Sequence, residues 1–302
     1  PTPDRSARAR LWIDRAFTIR GSGTVVTGTL ESGALRVGER VWLGREVGVR
    51  GLQSLGTDVT DVAAVARVAV NLRGMGTTEV RRGDVLVTGD WWYTEKVDVR
   101  VPAEVDLPGL LMAHVGTAAM QVRVRPLGQG AAGHSAVRLT WHGPLPLQVG
   151  DRLVLRDPGR HQVLAGAIVL DPDPPPLTRR GAARARARWL ADAPEQVDFV
   201  REVQRRGWLE LDRARRLGIS DVEIVDAASQ PTLAVVRHGS WLVSAACWQS
   251  WANLLHQIVH NYVVRHPLQG RMSMQAAAEA VGVPDLTLIP PLAQAAGLDV
   301  GQ

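Results

Sequence analysis

The 302-residue chain contains one cysteine, Cys247, and one lysine, Lys96. A lone cysteine cannot close an internal disulfide or build a thiolate cage around a metal. It leaves the cytosol as the expected compartment. A lone lysine excludes a phosphate-binding loop. That loop needs Gly-Lys-Ser/Thr, its lysine reaching the β- and γ-phosphates, and Lys96 stands in Thr94-Glu95-Lys96-Val97. Nucleotide hydrolysis by that route lies outside this sequence. No run approaches the roughly 18 consecutive apolar residues of a membrane span. The start, Pro1 to Arg10, is polar and basic and lacks the apolar stretch of a signal peptide. No membrane partner is expected. No nucleophile–base pair or metal-ligand cluster stands out, so no catalytic site and no metal are expected within the chain. His256 and His260 are four apart, but a zinc-protease motif also needs Glu beside the first His, and Gln257 stands there.

What is present is the composition of a folded protein, 45% hydrophobic and 22% charged. The length suggests two to four domains. The net charge is +5, and nearly all the positive charge is arginine. Arginine offers a planar fork suited to phosphates and to stacking on bases. A GC-rich genome would give the same bias, and composition does not choose between them. The first residue is Pro1 rather than Met, which suggests an excised piece.

Along the chain the pattern changes several times. From Arg10 to Gly89, short alternating runs such as Thr24-Val25-Val26-Thr27 and Arg67-Val68-Ala69-Val70-Asn71-Leu72 are punctuated by glycine, which reads as a small barrel or sandwich. A second all-β region restarts near Thr94, with strands expected over 96–101, 121–125, 136–140, 152–155 and 163–169, and ends near Leu170. The proline-rich Asp171 to Pro176 marks a boundary. The arginine-rich run from Arg179 to Arg188 reads as a short helix whose arginines are solvated or face RNA. Helices are then expected over 194–206, 209–217 and 221–229, followed by a hairpin from Leu233 to Val243 turning at His238-Gly239. Three helices and a hairpin make the winged-helix plan. A second copy starts at Ala246 with a long helix and a Ser273-capped helix, and stops before its wing. Trp241, Trp248 and Trp251 read as core.

The run from Asp14 to Leu30, Asp-Arg-Ala-Phe-Thr-Ile-Arg-Gly-Ser-Gly-Thr-Val-Val-Thr-Gly-Thr-Leu, resembles the opening of the second domain of EF-Tu-like translational GTPases. Glycines inside such a strand pattern mark a bulge or a close backbone approach. Arg50-Gly51-Leu52-Gln53-Ser54 and the run from Arg67 to Leu72 resemble the selenocysteine-specific branch. So do the runs Ala113 to Ala118 and Gly150 to Arg156. Two β-barrels followed by tandem winged helices is that branch's order. The resemblance implies a mostly β, then α, chain. Its expected parts are a domain-2-like barrel over 1–90, a domain-3-like barrel over 91–171, and a linker over 172–188. A winged helix follows over 189–245, then a second, truncated one over 246–302. One departure is Val65 or Ala66 where the family has Gly.

The resemblance further implies a partner, selenocysteinyl-tRNA, delivered to the ribosome at UGA. It implies GTP and Mg for the full-length family, with hydrolysis in its N-terminal GTPase domain and no cofactor in this chain. The family's final winged helices would grip the mRNA hairpin. A selenol is largely an anion at neutral pH, and fixed guanidinium groups suit it. By resemblance Arg15 and Arg67 are the selenolate clamp, with Asp14 orienting or balancing them, and Gly21, Gly23 and His114 are candidate tRNA contacts. A surface ion pair remains the plainer reading of the arginines. The third helix of the first winged helix carries Asp221, Glu223 and Asp226 and no Lys or Arg, which argues against groove binding. The first winged helix is then a spacer, with Arg201, Arg205, Arg206, Arg213, Arg215 and Arg216 as candidate ribosomal or RNA contacts. Another EF-Tu relative, or a freestanding winged-helix adaptor for nucleic acid, stands as the alternative.

Overall fold

The computed structural model describes residues 7–21, 23–130, 133–229, 234–267 and 271–299. Ser22 and Leu233, both used above, lie outside them. The chain divides into two compact units, Pro1–Gln196 and Val197–Gln302.

The first unit opens with nine strands: β1 (Arg10–Ile19), β2 (Gly23–Ser32), β3 (Ala34–Arg36), β4 (Arg40–Trp42), β5 (Glu46–Ser54), β6 (Thr57–Val59), β7 (Asp61–Ala63), β8 (Ala66–Arg73) and β9 (Val85–Val87). Six of them pair in the order β4-β9-β1-β2-β8-β5, and β5 pairs back to β4, which closes a barrel. Alternation explains the inside. On β5, Val47, Val49 and Leu52 are buried while Arg50 and Gln53 face out, a shift at Gly51 keeping the phase. Ile13, Val26, Leu30, Val68, Val70 and Leu86 fill the same core.

Six longer strands follow: β10 (Tyr93–Pro102), β11 (Leu110–Val115), β12 (Ala118–Gln129), β13 (His134–Pro146), β14 (Arg152–Asp157) and β15 (Gln162–Asp171). They close in the order β10-β13-β12-β11-β14-β15. The two barrels share a seam. Trp12 of β1 is only 1% exposed and belongs to the second barrel's core with Trp91, Leu111 and Val115. The β11–β12 turn seats on it: a Cβ at Gly116 would come within 2.3 Å of the Trp12 ring, and Thr117 Oγ1 donates to the Ile13 carbonyl at 2.6 Å. Arg10, 5% exposed, donates to both oxygens of Asp151 at 2.6 and 2.7 Å.

The arginine-rich run forms α1 (Ala182–Leu190), but not as an evenly solvated helix. Ala187 and Leu190 pack on Leu127, Ala136 and Leu170 of the second barrel, and Arg186 is buried with them. A guanidinium so placed needs partners. Arg186 Nε donates to Asp98 at 2.7 Å and its Nη2 donates to Asp171. Arg138 grips Asp98 from the other side at 2.7 and 3.0 Å and donates to the Pro175 carbonyl at 2.7 Å. Arg184 and Arg188 are exposed.

The second unit runs α2 (Phe199–Arg206), β16 (Trp208–Glu210), α3 (Leu211–Arg216), α4 (Asp221–Ser229), β17 (Val235–His238) and β18 (Trp241–Ser244), the winged-helix order. Asp198 caps α2, accepting from the Arg201 amide at 3.0 Å, so the helix starts later than the valine spacing suggests. The helix expected from Leu209 begins two residues later instead. Gly207 ends α2 at φ +80, and Trp208, Leu209 and Glu210 pair with β18 as the outer strand of a three-stranded sheet. Tertiary pairing overrides helical preference there. Next come α5 (Ala245–Arg265), α6 (Met274–Val281) capped by Ser273, and α7 (Ile289–Ala295), around Trp251, Leu255, Ala277, Leu288 and Leu292. Trp241 and Trp251 are core residues and Trp248 is partly buried against them. Among the described residues no helix is long and apolar enough to cross a membrane.

Candidate functional site

Three neighbouring strands, β1, β2 and β8, build the outer face of the first barrel on which Asp14, Arg15 and Arg67 meet. Along β1, Leu11 and Ile13 are buried in the first barrel's core; beyond them Arg15, Phe17 and Ile19 are exposed. The switch is a bulge. Ile13 pairs with Gly28 and Arg15 with Thr27, so Asp14 is the extra residue with no partner of its own. A bulge re-aims side chains that strict alternation would send to opposite faces. Here it brings the neighbours Asp14 and Arg15 to the same cluster. The glycine opposite is required: a Cβ on Gly28 would lie 2.2 Å from the Trp12 carbonyl oxygen. That is the close backbone approach that the glycine pattern implies.

The cluster is asymmetric. Asp14 has a side chain 13% exposed and is held from two sides. Arg67 Nη1 donates to Oδ2 at 2.5 Å, and Thr27 Oγ1 donates to Oδ1 at 2.7 Å. Burial alone would push the Asp14 carboxyl up. The hydrogen bonds from Arg67 and Thr27, with the charges of Arg67 and Arg15, outweigh it and hold the carboxyl below its ordinary range. The Arg67 side chain is 57% exposed, and Arg15 is exposed. Among the described residues Arg15 makes no salt bridge. Arg67 thus grips the carboxylate while Arg15 acts on it only through its charge, and the cluster holds two positive charges to one negative.

The other expected residues lie elsewhere. Gly21 and Gly23, at φ +84 and +90, shape the tip of the β1–β2 hairpin. Thr24 Oγ1, near that tip, donates to the Met75 carbonyl at 2.7 Å. His114 is half-buried on β11, opposite Ala119 and Val154, beside the turn that seats on Trp12. It is not part of the Asp14 cluster. The arginines of the second unit are largely engaged within it. Arg205 and Arg206 both donate to Glu202, at 2.7 and 3.0 Å, and Arg215 donates to Asp212 and Asp221 at 2.9 Å each. His256 hydrogen bonds the Ala296 carbonyl at 3.1 Å, and no group of three metal-ligating side chains gathers among the described residues. Lys96 lies exposed on β10 between Glu95 and Val97.

Thr27 is a member of the cluster that the sequence reading passes over. Its signal was available: in Val25-Val26-Thr27-Gly28, Thr27 falls on the face opposite Val26, which is buried.

Comparison with known proteins agrees with the two-barrel architecture. Residues 23–87 match the family model for Elongation factor Tu domain 2. Residues 95–176 match that for the Selenocysteine-specific elongation factor, beta-barrel domain. The selenocysteine-specific elongation factor of Escherichia coli (strain K12) is 31% identical over 285 residues, which are 89% of this chain and 45% of that protein. Over most of its length the chain is thus similar to a selenocysteine-specific elongation factor. The namesake protein of Desulfomicrobium baculatum is 36% identical over 184 residues, 56% of this chain and 29% of that protein. The chain therefore spans less than half the length of these curated relatives. The fold matches a crystal structure of bacterial selenocysteine-specific elongation factor EF-Sec with a TM-score of 0.78 at 18% identity, over 96% of this chain and 48% of that one.

Proposed function

We propose that this chain is part of a selenocysteine-specific elongation factor, and that the outer face of its first barrel receives the selenocysteinyl end of selenocysteinyl-tRNA for delivery to the ribosome at UGA. The observation that carries the reading is the Asp14–Arg15–Arg67 cluster, in which Arg67 pairs with Asp14 and the charge of Arg15 acts on the same carboxylate. Arginine stays charged at any physiological pH, so its positive field does not fade. A selenolate entering between the two groups gains charge-assisted hydrogen bonds. A seryl hydroxyl in the same place would leave them without a counter-charge once the ligand covers them.

The remaining roles follow the family. Gly21 and Gly23 at the hairpin tip, and His114 on the second barrel, are proposed tRNA contacts. GTP and Mg would be bound by the GTPase domain of the full-length family. The winged helices would serve the ribosome or an mRNA hairpin. The acidic α4 does not favour a freestanding groove-binding adaptor. A cytoplasmic location follows from the partners.

The test is equilibrium binding of selenocysteinyl-tRNA and seryl-tRNA on the same tRNA body. The chain should prefer the former. Replacing both Arg15→Ala and Arg67→Ala should reduce that preference by about ten- to a hundredfold, the worth of one or two hydrogen bonds to a charged group. A preference that is absent from the wild type, or untouched by both substitutions, would overturn the reading.

A further inference from the structure

The two oxygens of Asp14 are anchored separately, Oδ2 by Arg67 on β8 at 2.5 Å and Oδ1 by Thr27 on β2 at 2.7 Å. The terminal torsion of an aspartate is broad, so one anchor leaves the carboxylate plane free to turn. Two anchors on different strands fix it. Arg67 gains most from that. Its side chain is long and more than half exposed, at 57%, and Asp14 is its one salt-bridge partner among the described residues. Wherever the carboxylate turns, the guanidinium follows. Thr27 is paired with Arg15 across β1 and β2, and Thr29 with Arg67 across β2 and β8, so β2 runs between the two cationic residues. The strand between them therefore carries the hydroxyl that sets the carboxylate between them.

We infer that Thr27 is a specificity-determining positioning residue: through Asp14 it fixes Arg67, so that the cluster presents one net positive charge in a set geometry to a monoanionic side chain. The formal sum is two arginines and one aspartate. A selenolate neutralises it. A neutral hydroxyl leaves it uncompensated, and a doubly charged phosphoester would meet Asp14 with a charge to spare. The role does not require Thr27 to touch the ligand. It requires that the donors of Arg67 be held ready before the ligand arrives, which lowers the ordering cost of binding. A hydroxyl that served only the barrel would act on stability and not on choice of ligand.

This inference rests on the reading that the face takes selenocysteine, and the experiment separates the two. Thr27→Val keeps the β-branch that suits a strand and removes the hydroxyl. Thr27→Ser keeps the hydroxyl. Each is compared with wild type and with the Arg15→Ala, Arg67→Ala double variant by binding of selenocysteinyl-tRNA and seryl-tRNA. Thr27→Val should lose roughly two- to tenfold of the preference, the cost of ordering one long side chain, with seryl-tRNA binding unchanged. Thr27→Ser should retain the wild-type preference. Thr27→Ala, which also removes the hydroxyl, should lose it as Thr27→Val does and carries the same test if the valine variant does not fold. Full preference in Thr27→Val, an equal loss for both tRNAs, or no retention by serine would overturn the positioning role while leaving the arginine reading intact. Loss of preference nowhere, including in the double arginine variant, would overturn the reading beneath it.

Discussion

Two of the carboxylate–arginine clusters in the first unit are built to opposite rules. In the second barrel, Asp98 and Asp171 meet Arg138 and Arg186, two charges of each sign, all four residues at most 6% exposed. Asp98 accepts three hydrogen bonds, and Arg138 gives its remaining reach to the Pro175 carbonyl. In the first barrel, Asp14 meets Arg15 and Arg67, one negative charge to two positive, with Arg67 57% exposed. The balanced cluster is closed to water and has nothing left to bind. It ties α1 and the proline-rich segment to the barrel wall. The unbalanced cluster gives the fold little, since exposed pairs contribute about 0–1 kcal/mol, and it keeps an uncompensated charge at the surface. Charge balance and exposure together separate an arginine that holds the fold from one available to an anion. In the second unit Glu202 is gripped by Arg205 and Arg206 with all three side chains at most 12% exposed, so there it is burial that sets the cluster apart from the exposed one.

The comparison breaks most sharply at Asp98. Asp98→Ala would leave the buried Arg138 without a counter-charge and Arg186 with Asp171 alone, and removing one partner of such a cluster costs about 3–5 kcal/mol. Urea unfolding at neutral pH measures it, and a loss below about 1 kcal/mol would mean that water already reaches the cluster. Next is Gly28→Ala. Its Cβ would press on the Trp12 carbonyl at 2.2 Å, and overpacking of this kind costs about 1–3 kcal/mol. Because Gly28 faces the bulge, the same variant should also weaken the preference for selenocysteinyl-tRNA. Stability lost with preference intact would separate the bulge from the site. Smaller again is the effect of Arg67→Ala on unfolding, expected within about 0–1 kcal/mol, against the ten- to a hundredfold binding effect proposed for the arginine pair. A large stability loss from Arg67→Ala would erase the distinction drawn between the clusters.

Much of this was legible in the residues. Valine alternation and glycine punctuation showed two β regions before any helix, because a strand with one buried face must alternate. The cap residue Ser273 sits where α6 begins. Arg15 and Arg67 could be picked out, but not their asymmetry. Sequence spacing puts Asp14 and Arg15 on opposite faces, and only the bulge opposite Gly28 brings them together. Arg186 was hidden for a related reason. Five arginines alternate or adjoin between Arg179 and Arg188, and nothing local distinguishes the one that turns toward Asp98 from those in water. That distinction comes from a strand 88 residues away. The short strand β16 likewise exists because β18 pairs with it.

Acid should act on the exposed cluster with a definite sign. The Asp14 carboxyl is held below its ordinary range: burial works against this, and the hydrogen bonds from Arg67 and Thr27 prevail. A group whose folded value is depressed contributes its stabilisation fully above its unfolded value and loses it as pH falls through the folded one. The difference in unfolding free energy between wild type and Asp14→Asn should therefore be flat from about pH 8 down to about pH 5 and shrink only below the ordinary aspartate range, near about pH 4. Thr27→Val removes one of the two hydrogen bonds that hold the carboxyl down, so the Asp14 titration, followed by carboxyl NMR, should move upward toward the ordinary value in that variant and stay put in Thr27→Ser. A titration identical in the valine variant would mean that Arg67 alone sets the charge of Asp14, and the exposed cluster would then be a pair with a bystander hydroxyl rather than a carboxylate fixed from two strands.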